Sequence, residues 1–137
     1  MGSVVILAQA DMWDLGGNTP AHLAGYEPFV ASIASHTTDF GKPVLLINGD
    51  SHVYRSDNPL SPSAGCTTEA PGGGETSCAS VASAHPGYDV ANFHRIVVHG
   101  STFPVEWLKL TVNPEANYAP GSNAFGPFTW QRMPQVS

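Results

Sequence analysis

The chain has 137 residues, of which 42% are apolar, so it can form one hydrophobic core and is too short for two. Eleven acidic residues against five basic ones give a net charge of −6, which argues against a nucleic-acid partner because phosphate backbones are bound by clustered Lys and Arg. The apolar runs at 4–8 and 44–47 are far shorter than the ~20 residues of a membrane-spanning helix, and the amino terminus lacks the charged region and cleavage site of a secretory signal. We therefore expect one soluble domain over residues 1–137, with no membrane partner.

The first part of the chain predicts a βαβ unit. A β-branched run predicts a strand over 3–9 that is buried on both faces, and a polar, Gly-rich loop follows at 14–25. Helical spacing is then shown by Tyr26, Phe29, Val30 and Ile33. Pro28 suits the first turn of this helix, and Gly-Lys-Pro at 41–43 ends it. The buried run at 43–48 predicts a second strand, parallel to the first.

The rest of the chain predicts a long loop followed by strands. Residues 58–92 are rich in Gly, Ser, Pro and Thr and predict a loop inserted over the surface. Alternating apolar residues predict an antiparallel pair of strands at 93–99 and 105–113, and a short strand at 127–132. The fold class is therefore α/β, with a mixed sheet and one main helix.

Two cysteines, Cys66 and Cys78, lie inside the predicted loop. A disulfide between them would restrain the unfolded chain. Two free thiols in a reducing compartment are the alternative, because the sequence leaves the cellular location open. A zinc site is disfavoured, since neither a C-x-x-C pair nor a closely spaced histidine accompanies them. The cysteine pair indicates that an ancestor of this protein was exported from the cell.

Polar residues follow both predicted strands, at the edge where ligands collect in open α/β sheets. Asp50 and His52 come after the second strand, and Gln9, Asp11 and Asp14 follow the first. An oxygen and a ring nitrogen two positions apart suit a divalent ion such as Zn²⁺ or Mn²⁺. The alternative is a turn in which Asp50 caps backbone amides and His52 bonds locally.

Three further observations concern polar residues near this edge or elsewhere. Arg55 and Asp57 share a strand face, which indicates either a salt bridge or an Arg55 contact to an anionic substrate. His94 and His99 lie five apart on one strand and cannot both reach one ion. The sequence gives the remaining histidines only a solvated surface role: His22, His36 and His85.

Three stretches resemble the carboxyl-terminal portion of bacterial calcineurin-like metallophosphoesterases. They are "KPVLLINGDSHVYRSDNPL" at 42–60, "NFHRIVVHGSTFPVEWLKLTVNP" at 92–114 and "FTWQR" at 128–132. The family carries a G-H-x-H turn after a late strand, and here Asp50 stands at the first histidine and His52 at the second. Gln9 stands where an upstream strand of the family ends in a metal-binding histidine. The amino-terminal D-x-H, G-D-x-x-D and G-N-H motifs of the family are absent.

The resemblance implies a metal-dependent hydrolase of phosphoester bonds with a broad range of small substrates, acting through a metal-activated water. The catalytic residues would be Asp50 and His52. The residues that would bind Zn²⁺ or Mn²⁺ are Gln9, Asp11, Asp50 and His52. Substrate would contact Asn48 and Arg55.

The missing motifs imply a truncated domain, half of the family's two-sheet sandwich. Such a half would leave apolar surface uncovered, so a homodimer is expected, with the first strand as its seam. The alternative function is a non-catalytic remnant that acts only as a folding or interaction module.

Overall fold

A computed structural model describes residues 2–134 and has an α/β architecture. Its α-helix is α1 (Pro20–Phe40), and a short 3₁₀ helix covers Ala82–Ala84. The strands are β1 (Val4–Ala8), β2 (Val44–Asn48), β3 (Arg55–Asp57), β4 (Thr67–Glu69), β5 (Glu75–Ser77), β6 (Phe93–Val97), β7 (Glu106–Val112), β8 (Ala124–Phe125) and β9 (Phe128–Pro134). Within this part of the chain, no helix is long and apolar enough to cross a membrane. The expected α/β class, with one α-helix and a mixed sheet, is confirmed.

The larger sheet has six strands in the order β1-β2-β6-β3-β4-β5. The first three strands are parallel to one another, with Val4 opposite Val44 and Val44 opposite Phe93. The β3, β4 and β5 strands pair antiparallel. The parallel pairing predicted for the first two strands is therefore confirmed, and it brings the carboxyl ends of β1 and β2 to the same edge.

The helix begins earlier than the apolar spacing predicts. Thr19 is the N-cap and accepts a hydrogen bond from the backbone N–H of His22, and Pro20 occupies the first turn, where its missing N–H costs nothing. Pro28 lies inside the helix, on an exposed face, so the prediction of a loop to residue 25 and of Pro28 in the first turn was wrong. The early turns carry small and polar residues, which is why the apolar pattern begins only after them.

The predicted hairpin between 93–99 and 105–113 was also wrong. The β6 strand lies in the middle of the larger sheet, whereas β7 belongs to a second sheet of order β7-β9-β8. Every residue of β6 is buried, including His94 and Arg95. Polar residues in this central strand give the same alternation of polar and apolar residues as a half-exposed strand. The sequence pattern therefore predicted a half-exposed hairpin.

Two cores lie on opposite faces of the larger sheet. On one face, α1 and the turn after β1 pack on β2 and β6, with Trp13, Val30 and Leu46 fully or almost fully buried. On the other face, the second sheet packs on β2, β6 and the residue before β3, with Leu45, Tyr54, Ile96, Phe125, Phe128 and Trp130 in the interface.

The second sheet does not cover β1, which lies at the edge of the larger sheet. Leu7 is 75% exposed and Val5 38% exposed. The expectation that this strand is buried on both faces was therefore wrong, because its neighbours shield only part of it.

Segment 58–92 is only partly a surface loop. It contains the β4–β5 hairpin, next to which Cys66 and Cys78 form a disulfide. It also places Leu60 and Val90 in or beside the first core, and the Val90 N–H donates to the Leu60 carbonyl at 2.9 Å. The segment is thus tied to the domain at both ends.

Candidate functional site

The turn after β2 presents the two main candidate ligands. Asp50 and His52 have φ angles of 77° and 67°, in the left-handed region that side chains other than glycine seldom adopt. Both residues are exposed. The Gly49 N–H donates to the Gln9 carbonyl at 3.2 Å, which fixes this turn to the end of β1. Strained residues held at the edge where parallel strands end are typical of functional sites.

The structure brings Asp11 next to this turn. The Asp11 N–H donates to Oδ2 of Asp50 at 3.3 Å, and the Ser51 hydroxyl donates to Oδ2 of Asp11 at 2.6 Å. The predicted proximity of the two strand ends is therefore confirmed. The backbone N–H that the Asp50 carboxylate accepts comes from the residues after β1 and not from its own turn, so this bond is not the local turn cap.

Asp11 is also part of a buried ion pair that the sequence did not predict. Its Oδ1 accepts from Nη1 of Arg95 at 2.6 Å and from the Trp13 N–H at 3.1 Å. Arg95 is 1% exposed and makes two further bonds of 2.9 Å to the Asp57 carboxylate. Two carboxylates therefore neutralise one buried guanidinium.

The electrostatics of this ion pair favour the charged forms of Asp57 and Arg95. Burial alone would raise the pKa of Asp57, but the charges of Arg95 and Arg55 hold it below its ordinary value. Burial alone would lower the pKa of Arg95, whereas Asp57 and Asp11 raise it. The Asp57 carboxylate and the Arg95 guanidinium are therefore both ionised at neutral pH.

Arg55 lies at the partly open end of the same network. Its Nε donates to Oδ2 of Asp57 at 2.8 Å, and its Nη2 donates to the Ala79 carbonyl. The salt bridge proposed for Arg55 and Asp57 is thus confirmed. The Arg55 side chain is 18% exposed.

A cavity of about 380 Å³ adjoins these groups. Its walls include Asp11, Ser51, Arg55 and Arg95, together with Trp13 and Val81. Ser51 stands between the two candidate ligands of the exposed turn, so the turn and the cavity are continuous. The charged residues of this wall are Arg55 and Arg95 with Asp11 and Asp14, which suits a ligand with both anionic and hydrogen-bonding groups.

The other predicted residues have different surroundings. The Gln9 side chain is exposed, whereas Asn48 is 2% exposed and donates from Nδ2 to the Gly49 carbonyl at 3.0 Å. Asp14 accepts from the backbone N–H groups of Gly16 and Gly17 at 2.9 Å. Across residues 2–134, no group of three or more His, Cys, Asp or Glu is placed to hold a metal ion.

Two buried histidines were missed by the sequence reading. His85, expected on the solvated surface, is 2% exposed, and so this expectation was wrong. His94 is 4% exposed, and its Nε2 lies 2.8 Å from the Ser56 hydroxyl. Both histidines are buried by residues distant in sequence, and no local sequence pattern indicates which residues these are.

Comparison with known proteins gives no relative: no family model, no curated protein and no solved structure matches the chain.

Proposed function

We propose that the chain is a metal-dependent hydrolase of small phosphoesters, with the exposed turn 49–52 as its metal-binding element. The observation that carries the proposal is the continuity of this turn with the cavity that Arg55 lines. The two candidate cation ligands flank Ser51, which lines the cavity together with Arg55, a donor for an anion. This is the arrangement that phosphoester chemistry needs, because the substrate is an anion whose developing charge must be balanced.

The side chains of the turn fit a divalent cation in part. His52 offers an imidazole nitrogen and Asp50 a carboxylate oxygen, a donor set that suits Zn²⁺ or Mn²⁺. The Asp11 carboxylate already accepts from Arg95, Trp13 and Ser51, so we assign it to orienting the turn. A bound ion would supply Lewis-acid polarisation of the phosphoryl group.

The roles of the protein side chains follow from their contacts. Arg55 keeps hydrogen-bond donors beyond those given to Asp57 and Ala79, because a guanidinium carries five N–H groups. We assign these donors to the phosphate oxygens. The Asp50 carboxylate accepts the Asp11 N–H at Oδ2, which leaves its other oxygen to hold the ion.

A specific observation favours the second candidate function, a non-catalytic interaction module. Within residues 2–134, the candidate ligands do not form a group of three. A site with two protein donors holds an ion weakly unless substrate or water completes its shell.

His52→Ala should lower the affinity for Mn²⁺ or Zn²⁺ roughly tenfold or more, by analogy with the loss of supporting groups at metal sites. Calorimetric titration with each ion measures this, and hydrolysis of an activated aryl phosphate with and without chelator reports activity. His36→Ala, an exposed histidine on α1, is the matched control. Unchanged metal affinity in His52→Ala would refute the metal assignment. Metal binding without hydrolysis would favour the interaction module.

We also propose a homodimer that pairs β1 with β1 of a second copy. Because the Val4 N–H donates to the Pro43 carbonyl on the β2 side, the backbone groups of Val5 and Leu7 face the open edge. A twofold axis at Ile6 then places Val5 opposite Leu7 of the second copy, which allows four hydrogen bonds and two apolar cross-strand contacts. No charged residue lies in residues 2–10 to oppose this approach.

Leu7→Lys should convert this dimer into a monomer, since it places a charge at each apolar contact of the seam. Sedimentation velocity measures the change. Phe29→Lys, at a residue that is 50% exposed on α1, is the control and should leave the dimer intact. A wild-type protein that is monomeric at high concentration would contradict the seam.

A further inference from the structure

Two adjoining cavities form a groove away from the turn 49–52. The first cavity has a volume of about 500 Å³ and is lined by His94, near the start of β6. The second has a volume of about 530 Å³ and is lined by Pro43, just before β2. The two cavities share Ala91 and Pro120, and both volumes are typical of small-molecule sites. Neither cavity shares a lining residue with the one beside Arg55, so the groove is a separate site.

The walls of the groove are polar but uncharged. Within residues 2–134, no Asp, Glu, Lys or Arg lines either cavity. The polar side chains of the walls include the hydroxyls of Ser56, Ser61, Thr67 and Ser122 and the amides of Asn58 and Asn117. A charged ligand would lose its hydration there without meeting an opposite charge, so the groove favours a neutral ligand.

A buried polar pair forms the floor of the first cavity. Ser56 and His94 are almost fully buried, yet both line this cavity. The Ser56 hydroxyl lies 2.8 Å from Nε2 of His94. The His94 ring also stacks on Phe125, with centroids 5.3 Å apart. The pair is therefore held in one geometry from the side opposite the serine.

The position of the His94 proton determines what Ser56 offers to a ligand. Burial lowers the pKa of His94 to about 4, so at neutral pH the ring is neutral and carries one N–H. Among the described residues its Nδ1 has no hydrogen-bond partner. A buried N–H without an acceptor is rarer in proteins than an unused acceptor. The N–H is therefore on Nε2, where it donates to the Ser56 hydroxyl.

The hydroxyl hydrogen of Ser56 is then left for another acceptor. The Gly121 carbonyl is 3.5 Å away, beyond the ~2.5–3.0 Å of an ordinary O–H···O bond. The nearby Tyr54 hydroxyl already accepts from Nε1 of Trp130 at 2.8 Å. Ser56 thus keeps a weakly used donor and a second lone pair at the floor of the cavity. These match a ligand hydroxyl, because a hydroxyl both donates and accepts.

Tyr118 gives the second cavity an aromatic surface. The residue is 40% exposed, and its backbone N–H and carbonyl bond to Gly126 at 2.7 and 3.0 Å. Gly126 has a φ angle of 54°, and a Cβ at this position would lie 2.7 Å from Pro43, so the close approach requires glycine. Tyr118 therefore has a fixed backbone and a partly exposed ring. Such a ring combines an apolar face with a polar hydroxyl, which suits the C–H face of a sugar.

We propose that the groove binds a neutral saccharide, with the Ser56 hydroxyl bonded to a sugar hydroxyl and the Tyr118 ring packed on a sugar face. An extended peptide fits this groove less well. Peptides that bind beside a strand need a long open edge, and β8, whose Phe125 lines the groove, has two residues. The site uses neither the turn 49–52 nor a metal ion, so it is independent of the proposed hydrolase.

Titration of the isotope-labelled protein with a panel of trisaccharides, followed by NMR, tests the proposal. The neutral members are linear trimers of glucose, galactose, mannose, xylose and N-acetylglucosamine, and the charged members are trimers of galacturonate and glucosamine. At least one neutral trimer should bind with a Kd of about 1 mM or below. It should shift the amide signals of Tyr118 and Ser122, and the charged trimers should bind more weakly.

Two substitutions locate the binding site. Ser56→Ala should weaken binding of the neutral trimer roughly fivefold, because it removes one hydrogen bond. Tyr118→Ala should weaken it roughly tenfold, because it removes the stacking surface. The matched controls are Ser35→Ala and Phe103→Ala, which change an exposed serine on α1 and an exposed aromatic residue outside the groove. Both controls should bind as wild type does.

Three results would overturn the proposal. One is a panel in which no neutral trimer binds, and another is equal or tighter binding of the charged trimers. The third is binding that Tyr118→Ala leaves unchanged. This variant alters a partly exposed side chain, so it decides the outcome even when Ser56→Ala does not fold.

Discussion

Replacing Arg95 with methionine should lower the free energy of unfolding by roughly 3–5 kcal/mol, the cost of removing one partner from a buried ion pair. The reason is that Asp57, bonded twice to Arg95 at 2.9 Å, and Asp11, bonded at 2.6 Å, would lose their buried cation. Asp57 would keep only Arg55. Chemical denaturation of the folded protein measures the change.

A partly exposed ion pair provides the control. Arg132 pairs with Glu106 at 2.6 Å, and its side chain is 20% exposed against 1% for Arg95. Arg132→Met should therefore cost about 1 kcal/mol or less. Similar losses of unfolding free energy in both variants would show that burial does not increase the contribution of the Arg95 network to stability.

A second comparison separates the loss of charge balance from the loss of packing. In Arg95→Met combined with Asp57→Leu and Asp11→Leu, no uncompensated carboxylate remains, and buried ion pairs replaced by apolar residues are often neutral or stabilising. This variant should regain much of the stability lost in Arg95→Met. A further loss would indicate that the network is needed for backbone hydrogen bonds, above all that of Trp13.

The βαβ unit and the meeting of the two strand ends at the candidate site could be predicted from the sequence because local patterns encode them. A continuous apolar run at 44–47 is typical of a strand buried on both faces, and parallel pairing then places the residues after β1 and β2 at one edge. Asp11 and Asp50 meet there. Chain order and periodicity suffice for this inference.

Contacts between residues distant in sequence could not be predicted in the same way. Arg95 meets Asp11 across 84 positions, and His85 meets Met12 across 73. Buried polar residues have no periodicity of their own, so the sequence does not distinguish them from polar residues on the surface. The errors at β6 and at His85 share this cause. The wrong prediction that β1 is buried on both faces has a related cause. A run of apolar residues does not reveal how much of a strand its neighbours shield.

Acidification should destabilise the protein through His94, by about 3 kcal/mol between pH 6.5 and pH 4. Burial, with an opposing effect of Asp57 and a smaller one of Arg95 in the same direction, lowers the pKa of His94 to about 4. Its ring stacks on Phe125 with centroids 5.3 Å apart. Among the described residues its Nδ1 has no hydrogen-bond partner, so the site gives a second proton no acceptor.

The lowered pKa of His94 makes the folded chain less stable as the pH falls. Above the ordinary histidine pKa of about 6.5, the ring is neutral in the folded and the unfolded chain, and the full stability is present. As the pH falls, the unfolded chain binds the proton first, and stability is lost until the pH reaches the folded pKa of about 4.

Denaturation at several pH values in this range should therefore give a steeper dependence of the unfolding free energy on pH for wild type than for His94→Asn, which removes the titrating ring. His22→Asn, an exposed histidine, should keep the wild-type slope. Equal slopes in wild type and His94→Asn would mean that His94 accepts its proton within the fold, and that the Ser56 contact rearranges to accommodate it.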